Sequence, residues 1–301
     1  MSPSLSRNLF AATLLASAAA HSHIDYVLVN GVYYPGFIPQ LGASGNPADT
    51  VGWFETATDD GFIAPSNYTN PNIICHENGA PPRAHMPVAP GDIVHFQWNG
   101  WPLSHDGPVQ TYLAPCDGSN AHAGDGCASV DKTKLEFFKI DDSAPVFLNE
   151  SGGPPGFWAT EVLIASNNSW LIQVPTTLRP GPYVLRHEII ALHYANVTNG
   201  AQNYPQCFNV WVSHGASNTS NVTGTLGPVV NPRGIPATEF YHEDDPGILI
   251  DIYKNLTTYV IPGPTLAADA VPIPLSSQRN MLVKAAGTPV VVSGMSDYPI
   301  P

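Results

Sequence analysis

The stretch of sequence that best indicates the fold is Tyr183-Val184-Leu185-Arg186-His187-Glu188-Ile189-Ile190-Ala191-Leu192-His193. Successive side chains of a β-strand point to opposite faces, so every second residue, from Tyr183 through Ile189 to His193, lies on the same face. A run of this length predicts a long strand.

Shorter alternating stretches lie on both sides of this strand, separated by segments rich in Gly, Pro and Asn. We predict further strands at residues 23–30, 92–98, 109–114, 136–140, 170–174, 202–212 and 248–253. Many short strands joined by turns favour an all-β fold, an antiparallel β-sandwich of the immunoglobulin or fibronectin kind, over a parallel sheet. The chain carries no Rossmann glycine fingerprint, P-loop or H-E-x-x-H sequence.

The first 20 residues have the three parts of a secretion signal. Arg7 supplies the positive charge, the apolar run that begins at Leu9 follows, and Ala18-Ala19-Ala20 is a cleavage site of the A-x-A type. A membrane anchor is the alternative, but the apolar run is shorter than the roughly 20 residues that a span needs. We therefore expect a secreted, extracellular protein whose mature chain begins at His21.

The charge balance narrows the choice of partners. The formal net charge is −13, and only 12% of the residues are charged. An acidic excess argues against nucleic acid and anionic membranes as partners. Sparse charge instead suits an uncharged substrate or surface.

Four cysteines in an exported chain predict two disulfides, and the count alone allows three connectivities. Cys116 and Cys127 bracket a loop rich in Gly, Asp and Ser, which favours a local bridge. Cys75 and Cys207 would then form a long-range bridge. Zinc binding by cysteine is disfavoured because there is no C-x-x-C pair.

Export is also consistent with several Asn-x-Ser/Thr sequons, although the motif alone is weak evidence. The predicted glycosylation sites are Asn67, Asn149, Asn167, Asn196, Asn218, Asn221 and Asn255.

The composition changes after Pro262-Gly263-Pro264 to Ala, Pro, Ser, Val and Thr. Residues 265–301 have little capacity to bury a core, and we expect them to form a low-complexity, disordered tail. The predicted domain organisation is therefore a signal peptide (1–20), one folded domain (21–264) and this tail.

Three blocks of sequence carry the candidate chemistry. The first is His21-Ser22-His23, in which cleavage before His21 would leave an amine and an imidazole on one residue. The second is the segment 101–108, Trp-Pro-Leu-Ser-His-Asp-Gly-Pro, which contains His105. The third joins the end of the long strand, at His193, to the segment 200–207, Gly-Ala-Gln-Asn-Tyr-Pro-Gln-Cys. Each block alone is weak, because a lone histidine in a loop is usually an ordinary surface residue.

Together, and in this order, the blocks resemble the fungal lytic polysaccharide monooxygenases of auxiliary activity family 9. The likeness runs from His21 to about Pro264 and includes the segments 29–32, 113–116, 245–253 and 259–264. It implies a β-sandwich whose long loops form a flat face, with one copper ion per molecule. It also implies oxidative cleavage of cellulose or another β-1,4-glucan at C1 or C4, a choice that the sequence leaves open. The implied co-reactants are an external reductant and O₂ or H₂O₂, and the implied state is a monomer.

The resemblance also assigns residues. It implies that His21 and His105 bind copper, with Tyr204 in the axial position, and that His193 and Gln202 orient oxygen species near the metal. Amine and imidazole nitrogens are good donors for copper, which agrees with this assignment. It further implies substrate binding by Tyr259, with Tyr34 a weaker candidate, because aromatic faces suit the apolar faces of sugar rings.

One position departs from the family pattern. Asp106 stands where the family commonly has a second histidine after the ligand, so His105 should still bind copper while rate and specificity could change. His23 and His187 are not assigned as ligands, since the family does not use the first position and the second lies inside a strand.

Two other classes of function remain as alternatives. A glycoside hydrolase needs two carboxylates that flank the scissile bond; Asp25, Glu188 and Asp251 are available, but none lies in a recognisable paired motif. The second alternative is a non-catalytic secreted protein that binds copper or polysaccharide on the same sandwich.

Overall fold

The computed structural model describes residues 22–116, 124–143, 153–213 and 233–292. These residues form twelve strands and three short α-helices. The strands are β1 (Ile24–Val29), β2 (Val32–Pro35), β3 (Ala84–Val88), β4 (Ile93–Trp98), β5 (Val109–Pro115), β6 (Glu136–Ser143), β7 (Ser169–Gln173), β8 (Gly181–Ala191), β9 (Gln202–Val212), β10 (Ile235–Pro236), β11 (Ala285–Ala286) and β12 (Val290–Val291). The helices are α1 (Gly42–Gly45), α2 (Asn72–Cys75) and α3 (Ala159–Ala165).

The strands form two sheets, which confirms the predicted β-sandwich. One sheet has the order β11-β2-β1-β4-β7, and the other has the order β10-β6-β5-β8-β9-β3-β12. Most neighbours are antiparallel, as predicted, but β3 pairs with β9, and β2 with β11, in parallel. The long strand β8 lies at the centre of the larger sheet, between β5 and β9.

Alternation along β8 and β9 divides the interior into two cores. Ile189 and Tyr204 face the other sheet and belong to the core between the sheets. Ile190 and Cys207 face the opposite way, into a second core beneath α2 and the segment 237–252. The opposite facing of Tyr204 and Cys207 is what the period of two predicts.

Both predicted disulfides are present. Cys75, at the end of α2, is bonded to Cys207 of β9, and Cys116 is bonded to Cys127. The first bridge fastens the long loop between β2 and β3 to the outer face of the larger sheet.

One predicted strand is absent. The segment 248–253 forms turns and irregular structure, although Ile248 and Ile252 are buried. Their apolar side chains pack into the second core and make no ladder with a neighbouring strand. The apolar pattern of the segment 248–253 therefore predicted the burial of its side chains correctly, but its prediction of a strand was wrong.

The prediction of a disordered tail is also corrected for the part that the structure describes. Residues 265–292 run across both sheets, where β11 pairs with β2 and β12 pairs with β3. Before β11, the side-chain amide of Gln278 forms hydrogen bonds with both backbone groups of Leu171 in β7, accepting from its N–H (2.7 Å) and donating to its C=O (3.0 Å). Backbone hydrogen bonds of this kind leave no mark in composition, which is why the sequence did not reveal them.

No helix in the described ranges is long and apolar enough to span a membrane; the longest, α3, has seven residues. The predicted signal peptide, His21, three of the sequons (Asn149, Asn218 and Asn221) and residues 293–301 lie outside the described residues. The signal peptide and the catalytic-domain boundaries therefore stay predictions.

Candidate active site

His105 lies in the loop that joins β4 to β5. A turn in which its backbone N–H donates to the Pro102 carbonyl (3.0 Å) sets the local backbone, and the Trp101 indole N–H donates to the His105 carbonyl (2.9 Å). Gly107 brings the loop against β8, because a Cβ at that position would lie 1.8 Å from the Ile190 carbonyl oxygen. Only glycine allows this approach, so the sequence itself places His105 at the end of the central strand.

His193 follows two residues after the end of β8. Its ring lies 3.8 Å from the His105 ring, between centroids, at an angle of 32°. The two segments are joined beside the rings, where the Leu192 N–H donates to the Asp106 carbonyl (2.8 Å). The structure thus brings together two histidines that are 88 residues apart in the sequence.

Tyr204 and Gln202 lie on the same face at the start of β9, as predicted. The Tyr204 hydroxyl donates to the Gln202 side-chain carbonyl (2.8 Å), and its ring packs edge-on against Trp101 with centroids 5.0 Å apart. Burial raises the pKa of Tyr204, so the side chain is a neutral phenol at physiological pH. Trp101, whose ring is also 6.1 Å from that of His105, joins the two parts of the cluster.

Trp101 is a site residue that the sequence analysis did not single out. The signal was present, because Trp101 lies four residues before His105 in the same short loop. Its role depends on contacts with Tyr204, which is distant in sequence and which no spacing rule anticipates.

The donor atoms of this cluster fit part of a copper site. An imidazole from His105 and a neutral phenol from Tyr204 are the donors that the structure describes, and imidazole nitrogen suits copper. Among the described residues, no group of three or more His, Cys, Asp or Glu side chains is arranged to hold a metal ion. The remaining donors in the prediction belong to His21, which precedes the first described residue, Ser22.

Asp106 lies beside this cluster and is buried. Burial, and then the charge of Glu161, raise the pKa of its carboxyl to about 6. The residue that departs from the family pattern is therefore a carboxyl group whose burial favours the protonated form.

The two tyrosines predicted to bind sugar differ in their exposure. Tyr34 is only 5% exposed and belongs to the core between the sheets. Tyr259 is partly buried, packs edge-on against Trp158 at 5.0 Å and donates to the Gly247 carbonyl (2.9 Å). The Tyr34 ring therefore has no free face for a polysaccharide, whereas substrate binding by Tyr259 stays a prediction.

Two other tyrosines are exposed next to the cluster. Tyr194, which follows His193 directly, is 62% exposed, and Tyr253 is 53% exposed. Their segments are joined by a hydrogen bond from the Ile250 N–H to the Ala195 carbonyl (2.8 Å). Partial burial, and then the nearby Asp106 and Tyr194, raise the pKa of Tyr253. The sequence analysis missed Tyr253 because it placed this residue in a strand.

The acids considered for a hydrolase are engaged elsewhere. Glu188 is fully buried, and its carboxylate accepts hydrogen bonds from Arg186 (2.7 and 2.8 Å) and from Asn203 (2.9 Å). Asp25 pairs with His23 (3.1 Å), and Asp251 accepts from the Tyr253 N–H (3.1 Å). A glycoside hydrolase built on Glu188 is excluded, because that side chain cannot reach a polysaccharide.

His187 is a core residue, as the sequence analysis expected. Its ring is buried and stacks on Phe96 with centroids 4.1 Å apart, and Nδ1 lies 2.8 Å from the Thr111 hydroxyl. Burial, and then Arg186, lower its pKa to about 3, so the ring is neutral.

The predicted glycosylation sites within the described residues are all on the surface. Their asparagines, Asn67, Asn167, Asn196 and Asn255, are exposed. Asn196 and Asn255 each lie two residues after one of the exposed tyrosines, so a glycan on either would border the same face.

Comparisons with known proteins show the family of this chain. The family model described as "Auxiliary Activity family 9 (formerly GH61)" matches residues 21–259. A lytic polysaccharide monooxygenase of this family from Thermoascus aurantiacus is 48% identical over 82% of this chain and 99% of its own length. One from Malbranchea cinnamomea is 47% identical over 88% of this chain and 74% of its own.

Solved structures show the same likeness. An extended catalytic domain of LPMO9A from H. jecorina superposes with a TM-score of 0.77 at 42% identity, covering 90% of this chain and 100% of its own. Cel61B from Hypocrea jecorina superposes with a TM-score of 0.70 at 36% identity, covering 82% of this chain and 100% of its own. Fold and site thus define the chain as an enzyme of the lytic polysaccharide monooxygenase class. Within that class, it belongs to Auxiliary Activity family 9.

Proposed function

We propose that this protein is a secreted, copper-dependent monooxygenase that cleaves β-1,4-glucosidic bonds of cellulose or a related glucan oxidatively. The observation that carries the proposal is the cluster of His105, His193 and Tyr204 beside two exposed tyrosines. The family supports it, since the relatives from Thermoascus aurantiacus and Malbranchea cinnamomea are named as lytic polysaccharide monooxygenases.

One copper ion would be held by the amine and imidazole of His21, by the imidazole of His105 and by the phenol of Tyr204. Copper, when bound, supplies one-electron redox chemistry with which O₂ or H₂O₂ and an external reductant can oxidise a C–H bond at C1 or C4 of a glucosyl unit. This arrangement requires a mature chain that begins at His21, because only the first residue of a chain has a free α-amine, which His21 would then carry beside its imidazole.

The remaining residues of the cluster position the reactants. Tyr204 stays protonated and is fixed by its bond to Gln202, so it fills its side of the site without adding negative charge. His193 packs against the His105 ring and holds its orientation. The imidazole of His193 and the amide of Gln202 are the polar groups that can orient O₂ or H₂O₂ by hydrogen bonding.

The surface around the cluster suits a neutral polysaccharide. The rings of Tyr194 and Tyr253 are exposed, and Leu103, two residues before His105, is 76% exposed. Aromatic rings stack on the apolar faces of sugars and lose little conformational entropy on binding. A chain with sparse charge and a net charge of −13 gains nothing from a charged substrate of the same sign.

Mass spectrometry of the soluble products tests the proposal. The secreted protein, loaded with copper, is incubated with cellulose and a reductant. Aldonic acids are expected for attack at C1 and ketoaldoses for attack at C4, and neither should form without the reductant. The His105→Ala variant should lose tight copper binding and oxidised products together.

The same experiment separates the alternatives. Products without oxidation, formed in the presence of a chelator, would indicate a hydrolase. Cellulose binding without any product, in wild type and variant alike, would indicate a binding protein.

A further inference from the structure

Two exposed tyrosines, Tyr194 and Tyr253, form one surface beside the candidate active site. Their segments are joined where the Ile250 N–H donates to the Ala195 carbonyl (2.8 Å). Burial, and then the nearby Asp106 and Tyr194, raise the pKa of Tyr253, so the two tyrosines are neighbours in space. We call these two rings the tyrosine surface. Under the proposed function, the tyrosine surface contacts the glucan.

A sequon begins two residues after the first of these rings. Asn196, Val197 and Thr198 form an Asn-x-Thr sequence, and the Val197 N–H donates to the Tyr194 carbonyl (3.3 Å), which closes a tight turn. The ends of such a turn lie within about 7 Å of each other, so Asn196 stays beside Tyr194. Asn196 is exposed, and no other described residue forms a hydrogen bond with its side-chain amide. The amide is therefore accessible to a modifying enzyme.

The second ring is followed by a sequon in the same way. Asn255 begins the Asn-Leu-Thr sequence that ends at Thr257, and it lies two residues, at most about 7 Å along the chain, from Tyr253. It occupies the middle of a three-residue turn, which is closed by a hydrogen bond from the Leu256 N–H to the Lys254 carbonyl (2.9 Å). Asn255 is exposed, and within the described ranges its side-chain amide has no hydrogen-bond partner. Each of the two segments that carry the tyrosine surface thus also carries an accessible sequon.

We propose that N-linked glycans on Asn196 and Asn255 border the tyrosine surface and make it favour isolated glucan chains over the flat face of crystalline cellulose. The proposal rests on the polysaccharide function proposed above. Attachment joins the asparagine amide nitrogen to C1 of the first sugar of a lipid-linked oligosaccharide. The lipid diphosphate and one amide proton leave, and the secretory pathway of the host supplies this donor.

The preference follows from the rigidity of a crystal face. A flat solid has to approach both rings of the tyrosine surface together, and it cannot bend around a bulky group at the rim. A glycan trapped beneath it would lose hydration of its hydroxyl groups and much of its conformational freedom, and both losses oppose binding. A single glucan chain is narrow and flexible, so it can lie across the rings between the two glycans.

The test removes each glycan without touching the asparagine or the tyrosine. Thr198→Ala and Thr257→Ala each abolish one sequon, and both threonines are exposed, so the fold should be unaffected. Each variant should bind crystalline cellulose about three- to tenfold more tightly than wild type, the gain expected when one more ring stacks on a sugar. Binding to a soluble cello-oligosaccharide, measured by titration calorimetry, should stay unchanged.

Thr198→Ser and Thr257→Ser are the matched controls. Serine preserves the sequon, so both variants should keep the glycan and the wild-type binding to crystalline cellulose. Mass spectrometry of glycopeptides from the secreted protein measures the occupancy of both asparagines. Trimming the glycans of the folded wild type with an endoglycosidase should reproduce the tighter binding without any substitution.

The outcomes are distinguishable. If neither Asn196 nor Asn255 carries a glycan in the secreted protein, the proposal is overturned. Glycans that are present, but whose removal leaves binding to crystalline cellulose unchanged or weaker, overturn it equally. If no form of the protein, glycosylated or trimmed, binds cellulose or the oligosaccharide, the proposed substrate fails, and the occupancy of the two sequons plays no part in that result.

Discussion

The imidazole rings of His105 and His193 lie 3.8 Å apart and are tilted by 32°. One residue is the predicted ligand, and the other comes from the end of β8. A ring in direct contact with a metal-binding side chain fixes the orientation of that side chain and contributes to the polar surroundings of the metal.

We therefore expect His193→Ala to reduce oxidative turnover by about 10- to 100-fold and to weaken copper binding by a smaller factor. Release of oxidised oligosaccharides and Cu(II) titration measure the two effects. His193→Gln, which keeps a hydrogen-bond donor, should recover part of the turnover. Equal losses of turnover and copper affinity would instead make His193 a ligand.

Tyr253 and Tyr259 should respond to substitution in opposite ways. Tyr253→Ala removes an exposed ring and should weaken binding to cellulose by about three- to tenfold, given stacking energies of about 0.5–1.5 kcal/mol, with little change in stability. Tyr259→Ala removes a ring packed on Trp158 and should lower the free energy of unfolding by about 3 kcal/mol. Cellulose pull-down and chemical denaturation of both variants decide between a binding and a packing role for each tyrosine.

A chain that ends at Pro264 should be less stable than the full chain. It loses the pairing of β11 and β12 and the two bonds between Gln278 and Leu171. At about 1 kcal/mol for each hydrogen bond, the expected loss is about 2–4 kcal/mol. Gln278→Ala in the full chain is the control and should reproduce about half of it. If the shortened chain and the Gln278→Ala variant both kept the wild-type melting temperature, residues 265–301 would contribute nothing to stability, as the sequence analysis expected.

Asp141 predicts a pH dependence of stability. It is buried, accepts from the Trp170 indole N–H (2.9 Å), and burial raises its pKa to about 7. Because the pKa is higher in the folded than in the unfolded chain, the stability from the protonated carboxyl is fully present below about pH 4 and is lost as the pH rises through about 7.

Asp141→Asn should therefore raise the melting temperature at pH 8 and have little effect at pH 4. The exposed Asp244→Asn serves as the control for a change in net charge. Thermal unfolding from pH 4 to 8 measures both; parallel curves for Asp141→Asn and wild type would contradict the predicted linkage.

Much of the fold followed from local pattern. Alternation placed β8 and β9 correctly and put Tyr204 and Cys207 on opposite faces, because side-chain direction in a strand depends only on parity. The pattern failed at Ile248 and Ile252, which are buried in a loop, since apolar spacing reports burial and not hydrogen bonding. It failed again at Gln278, whose side-chain amide pairs with the backbone of Leu171 as a neighbouring strand would.

The site was predictable only in part. Motif resemblance located His105, His193, Gln202 and Tyr204, and the structure brings them together. It could not tell Tyr253 from Tyr259, because exposure depends on what packs against each ring. The Asn99 side-chain oxygen accepts hydrogen bonds from Ser22 and His23, and Asp60 pairs with the His23 ring. These contacts join segments far apart in the chain, and no local pattern indicates them.

The strands β11 and β12 have a consequence for the behaviour of the protein in concentrated solution. Each lies at an outer edge of its sheet, where it occupies the backbone groups of β2 or β3. An open edge offers unpaired N–H and C=O groups on which a second molecule can add a strand. By covering one edge of each sheet with β11 and β12, the chain leaves fewer places where copies of itself could polymerise.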